Sequence, residues 1–111
     1  MPVLARAGYH VVAPWLRGFA PSAIPPDGQY AAAVRAADVN ALHEAFGGDE
    51  RAALVGHDFG ASAAYGAAEA EPRRWRRLVT LAVPPPALMA TKRSRCSTVP
   101  SANWKRRTPH R

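Results

Sequence analysis

Leu54-Val55-Gly56-His57-Asp58-Phe59-Gly60-Ala61 is the stretch whose reading decides the architecture. With Ala52 and Ala53 ahead of it, its first part is a short apolar run ending at Gly56, as a buried strand would be. Its second part opens a segment, residues 60–70, that is small and apolar almost all round, the composition of a helix packed against a sheet. Pro72 closes that helix. Between strand and helix, Gly56 and Gly60 stand two residues either side of Asp58. A turn of this kind is strained and holds its central side chain clear of the sheet. The small flanking residues let strand and helix approach closely, and the new helix aims its free N–H groups and positive end at the turn.

Outward from this turn the chain keeps alternating. Downstream, Leu78 to Val83 is a further strand, closed by Pro84-Pro85-Pro86. Upstream, Tyr30 to Phe46 is an alanine-rich helix expected to place Val34, Ala37, Ala41, Leu42 and Ala45 on one face, with Asp27 as a cap near its start and Gly47-Gly48 as its stop. Residues 14–29, with prolines at 14, 21, 25 and 26, read as a loop. Before it, Tyr9-His10-Val11-Val12-Ala13 lies between Gly8 and Pro14 and reads as a strand, and residues 2–7 read as the end of a helix stopped by Gly8. A helix starting at the first residue suggests that a segment upstream is missing. Strand, helix, strand, helix, strand in this order implies an α/β fold of about three parallel strands with crossover helices.

Charge divides the chain in two. Residues 1–86 hold eight arginines and eight acids, whereas residues 87–111 hold seven lysines or arginines and no acid, so the net +7 belongs to the last segment. The expectation is a partial α/β core over 1–86 and a basic, disordered tail over 87–111. The abrupt loss of periodicity near 87–90 also fits a change of reading frame. The electroneutral body gives no reason to expect a nucleic-acid-binding domain. Cys96 is the single cysteine, which excludes an internal disulfide and any metal site built on paired cysteines. With neither a secretory signal nor an apolar run of about 20 residues, a cytoplasmic protein is expected and a membrane partner is not.

The G-x-D-x-G spacing is that of a nucleophile elbow, G-x-S-x-G, with aspartate at its centre. Gly56-His57-Asp58-Phe59-Gly60 resembles the G-H-D-W-G elbow of the epoxide hydrolase and haloalkane dehalogenase branch of the α/β-hydrolases. Gly8-Tyr9-His10-Val11-Val12-Ala13-Pro14 and Arg17-Gly18-Phe19-Ala20-Pro21-Ser22 are similar to that branch's G-Y-x-V-x-A-P and R-G-x-G-x-S segments, and Pro72-Arg73-Arg74 with Leu78-Val79 fits the part after the elbow helix. The likeness covers residues 2–86 and departs from the pattern at Phe59, where tryptophan is usual, and at Ala20, where glycine is usual. It implies a fragment of an α/β-hydrolase parallel sheet.

The resemblance implies that Asp58 is a nucleophile and that the backbone N–H of Phe59 is an oxyanion donor. A carboxylate is ionised at neutral pH and attacks an electrophilic carbon without a base. The resulting ester must then be hydrolysed by a histidine-activated water. In the family that histidine, its acidic partner, the cap domain and the second oxyanion donor all lie outside the region of likeness, so the 111 residues are expected to be truncated and inactive, with a parent activity of epoxide hydrolysis on a small molecule. No cofactor and no metal are implied. In the dehalogenases the tryptophan helps hold the departing halide, so Phe59 favours epoxide opening, while a dehalogenase-type hydrolase stays the alternative because the tyrosines that would activate an epoxide belong to the cap.

Plainer readings stand beside these. Asp58 could be an N-cap at an ordinary strand–helix turn. His57, adjacent to it, reads as a packing neighbour and not the base; His10 and His43 read as element residues, and Arg17 as a residue that orients its loop. Trp75, among four arginines, reads as an anchor at a helix end. The rival function is a non-enzymatic protein whose tail, with Trp104 beside Lys105-Arg106-Arg107, contacts nucleic acid or anionic lipid.

Overall fold

The computed structural model describes residues 2–88. The expectations for the tail, including Cys96 and the Trp104 cluster, lie outside the described residues. The chain begins with a short helix, α1 (Pro2–Arg6), followed after the long loop by α2 (Ala32–Ala45). Then come strand β1 (Ala53–His57), helix α3 (Phe59–Ala70), a 3-10 turn over Pro72–Arg74, and strand β2 (Arg77–Leu81).

Both helix stops follow from glycine. Gly8 and Gly47 take φ of 89° and 66°, a region that costs a residue with a Cβ far more. At each, the glycine's own amide and the one after it turn back onto the last carbonyls. Gly47 donates to Glu44 and Gly48 to His43, at 3.0 and 2.7 Å; Gly8 donates to Ala5 and Tyr9 to Leu4, at 3.0 and 3.1 Å. This is the Schellman pattern. The start of α2 differs from expectation. Its N-cap position is Ala31, which offers no side-chain acceptor, while Asp27 accepts the Gln29 N–H at 3.0 Å in a turn of its own. Asp27 lies too far ahead of the first helical turn to reach its amides.

β1 and β2 form a two-stranded parallel sheet with Ala53 opposite Arg77 and His57 opposite Leu81. α3 connects them and packs on one face of the sheet, and α2 packs on α3. The expected strand at Tyr9–Ala13 does not form, so the sheet has two strands where about three were expected. A strand needs a neighbour for its amides and carbonyls, and among the described residues none runs beside 9–13.

The core lies between α2 and α3 and is built of alanine: Ala36, Ala61, Ala63, Ala64 and Ala67 are the buried apolar residues. The expected face of α2 is corrected here. Ala37, Ala41 and Ala45 face out, and the buried positions are Ala36 and Asn40. The reason is close approach. A Cβ added to Gly66 of α3 would stand 2.9 Å from the Ala36 Cβ, so the helices touch where both side chains are smallest.

Candidate active site

The strand-to-helix turn at Gly56–Gly60 has the form the spacing requires. Asp58 sits at φ 51° and ψ −115°, a positive-φ conformation that an aspartate adopts only under constraint. The constraint is visible on both sides. The Asp58 N–H donates to the Leu81 carbonyl at 3.2 Å, tying the turn to the end of β2, and the Asp58 carbonyl accepts the Ser62 N–H at 3.1 Å, starting α3. Gly56 makes the tight packing possible, since a Cβ there would lie 2.4 Å from the Gly60 carbonyl oxygen.

Asp58 occupies the N-cap position of α3, yet its side chain makes no capping hydrogen bond and is exposed. The geometry is not that of an ordinary N-cap, whose side-chain oxygen accepts from the second or third helical amide. The carboxylate is left free beside the positive end of a 12-residue helix. Among the described residues no backbone acceptor takes the Phe59 N–H, the first amide of that helix.

The remaining expectations fall as follows. His57 is exposed at the end of β1, opposite Leu81. His43 is engaged elsewhere, with Nε2 3.1 Å from the Asp49 carbonyl and its ring 4.7 Å from Trp75, and His10 packs edge-on near Phe46 at 6.4 Å. Arg17 orients its loop, as expected, through Nε and Nη2, each 2.5 Å from a carboxylate oxygen of Asp38 in α2, and through Nη1, 3.1 Å from the Gln29 carbonyl. The hydrogen bond to Asp38 raises the Arg17 pKa above its ordinary value. Trp75 is an anchor: its Nε1–H donates to Asn40 Oδ1 at 3.0 Å. Asn40 in turn donates from Nδ2 to the Ala67 carbonyl at 3.2 Å, so one buried amide joins α2, α3 and the segment before β2.

Two residues beside the turn were not legible beforehand. The Arg35 guanidinium lies over the Phe59 ring, 5.0 Å from its centroid, and Phe19 from the long loop lies 6.2 Å from the same ring. A groove between α2 and α3, lined by Ala36, Asn40, Gly66 and Glu69 among others, includes neither Asp58 nor Phe59. Among the described residues no cluster of three or more His, Cys, Asp or Glu could hold a metal ion, and no helix is long and apolar enough to cross a membrane.

A parallel β-α-β unit with a strained residue at the strand-to-helix turn is the arrangement around an α/β-hydrolase nucleophile elbow, and comparison with known proteins gives the family. The family described as alpha/beta hydrolase fold matches residues 1–102, and the chain belongs to it. An epoxide hydrolase of Caballeronia sordidicola is 38% identical over 85 residues, which are 76% of this chain and 26% of that protein. The chain thus spans about a quarter of that relative's length. No solved structure matches.

Proposed function

We propose that this chain carries the ester-forming half of an epoxide hydrolase. Asp58 attacks one carbon of the epoxide; the new bond joins a carboxylate oxygen to that carbon, the ring C–O bond breaks, and the released alkoxide takes a proton from water. The product is a hydroxyalkyl ester on Asp58. The Phe59 N–H orients the carboxylate in this step and holds the oxyanion when water later attacks the ester carbonyl. The observation that carries this reading is the positive-φ backbone of Asp58 with its carboxylate uncommitted at the head of α3. Phe59 has no ring N–H to hold a halide, which favours epoxide opening over dehalogenation.

Ester hydrolysis is assigned to groups other than the histidines of the described residues. His57 is adjacent to the nucleophile and faces no acidic partner among the described residues, and His43 and His10 are occupied as above. The described residues therefore supply the first step and no base for the second. The test joins the chain to the flanking segments of the C. sordidicola epoxide hydrolase and compares it with Asp58→Asn. The joined protein should convert an epoxide to its diol and show the ester in rapid-quench mass spectrometry. Asp58→Asn should lose both while keeping its circular dichroism spectrum. An ester or diol at the parent rate in Asp58→Asn would remove the nucleophile from Asp58.

A further inference from the structure

Three segments far apart in sequence meet on the Phe59 ring. Phe59 follows Asp58; Phe19 comes from the loop, and Arg35 from α2. Loop and helix are not independent, because Arg17, two residues before Phe19, is bonded at both carboxylate oxygens to Asp38, one turn along α2 from Arg35. Phe19 and Arg35 are therefore delivered to Phe59 as one unit.

Arg35 is an unusual member of it. Among the described residues it forms no ion pair. Its Nη1 donates to the Tyr30 carbonyl at 2.7 Å, while its Nε–H is buried with no hydrogen-bond partner. A buried donor left unpaired is unfavourable, and the visible compensation is the Phe59 π face, which attracts a cation. A charged side chain is thus held at some cost against the ring of the residue that follows Asp58.

We propose that Arg35 is a positioning residue for the reaction at Asp58: by holding the Phe59 ring against Phe19, it fixes the Asp58–Phe59 peptide and so the direction of the Phe59 N–H relative to the carboxylate. This rests on the reading of Asp58 as the nucleophile. Arg35 acts through Phe59 and touches no reacting atom.

The test uses the 111-residue chain at low micromolar concentration with excess styrene oxide, following the adduct on the Asp58 peptide by mass spectrometry. Arg35→Met, which keeps the apolar stem and removes the cation, should slow adduct formation about tenfold, as a small misplacement near a reacting group does. Arg35→Lys, which restores a cation, should recover most of the rate. In a Phe59→Leu background the two Arg35 variants should become equal. Equal rates in the parent chain and Arg35→Met overturn the role of Arg35 alone. No Asp58 adduct in the parent chain overturns the nucleophile reading and this proposal with it. If Arg35→Met fails to fold, the Arg35 Nε–H resonance of the parent chain decides. An upfield position that Phe59→Leu abolishes supports the contact, and an ordinary, freely exchanging signal overturns it.

Discussion

Asp58 pays for its position in backbone strain. Its φ of 51° with ψ of −115° suits glycine far better than aspartate. Nothing in the packing demands the carboxylate, which makes no capping bond. Asp58→Gly should therefore raise the stability of the chain, by roughly 1 kcal/mol in urea unfolding, while abolishing adduct formation with an epoxide. A loss of stability would mean that the carboxylate is there for the fold. This residue was legible in the sequence because glycine spacing reports backbone geometry directly: Gly56 must lack a Cβ to pass Gly60, and that need leaves a fixed pattern. Arg35 was not legible, because its relation to Phe59 spans two elements and leaves no local spacing.

The elements show the same division between local and distant information. The stops of α1 and α2 were readable, since Gly8 and Gly47 each close a helix by short-range bonds. The buried face of α2 was not, because a helix made largely of alanine has little contrast between faces, and the contact is chosen by Gly66 on another helix. Strand 9–13 was misread because its apolar pattern is satisfied only when a partner strand lies alongside. Asn40 escaped notice because its worth lies in two partners, Ala67 and Trp75, that come much later in the chain. Truncating it leaves the Trp75 N–H without its acceptor and takes one of two donors from the Ala67 carbonyl, which keeps the Glu71 N–H. Asn40→Ala should lower stability by roughly 1–3 kcal/mol and shift the tryptophan emission to longer wavelength. An unchanged unfolding midpoint would show that Asn40 is a bystander.

At the level of the molecule, the described residues cover the sheet on one side only. α3 lies over Leu54, Gly56 and Thr80, while the opposite face exposes Val55, Val79 and Leu81 at 64%, 49% and 52%. Parallel sheets are ordinarily buried on both faces, and no large side chain among the described residues is fully buried. The purified chain should bind an apolar-surface dye under native conditions, unfold over a broad transition, and give no diol from an epoxide, only a single equivalent of ester held on Asp58. Sustained turnover, with a sharp transition and no dye binding, would show that the 111 residues form a finished enzyme.

The nucleophile itself is tested most directly by oxygen labelling. In the chain joined to the flanking segments of the C. sordidicola epoxide hydrolase, a single turnover run in heavy-oxygen water must send the solvent oxygen to one of two places. If Asp58 attacks the epoxide, water attacks the ester carbonyl, so the label appears in the Asp58 carboxylate and the first diol carries an unlabelled oxygen from the enzyme. Label in the first diol and none in Asp58 would mean that water attacks the epoxide itself, and the strained turn would then hold a carboxylate that never bonds to substrate.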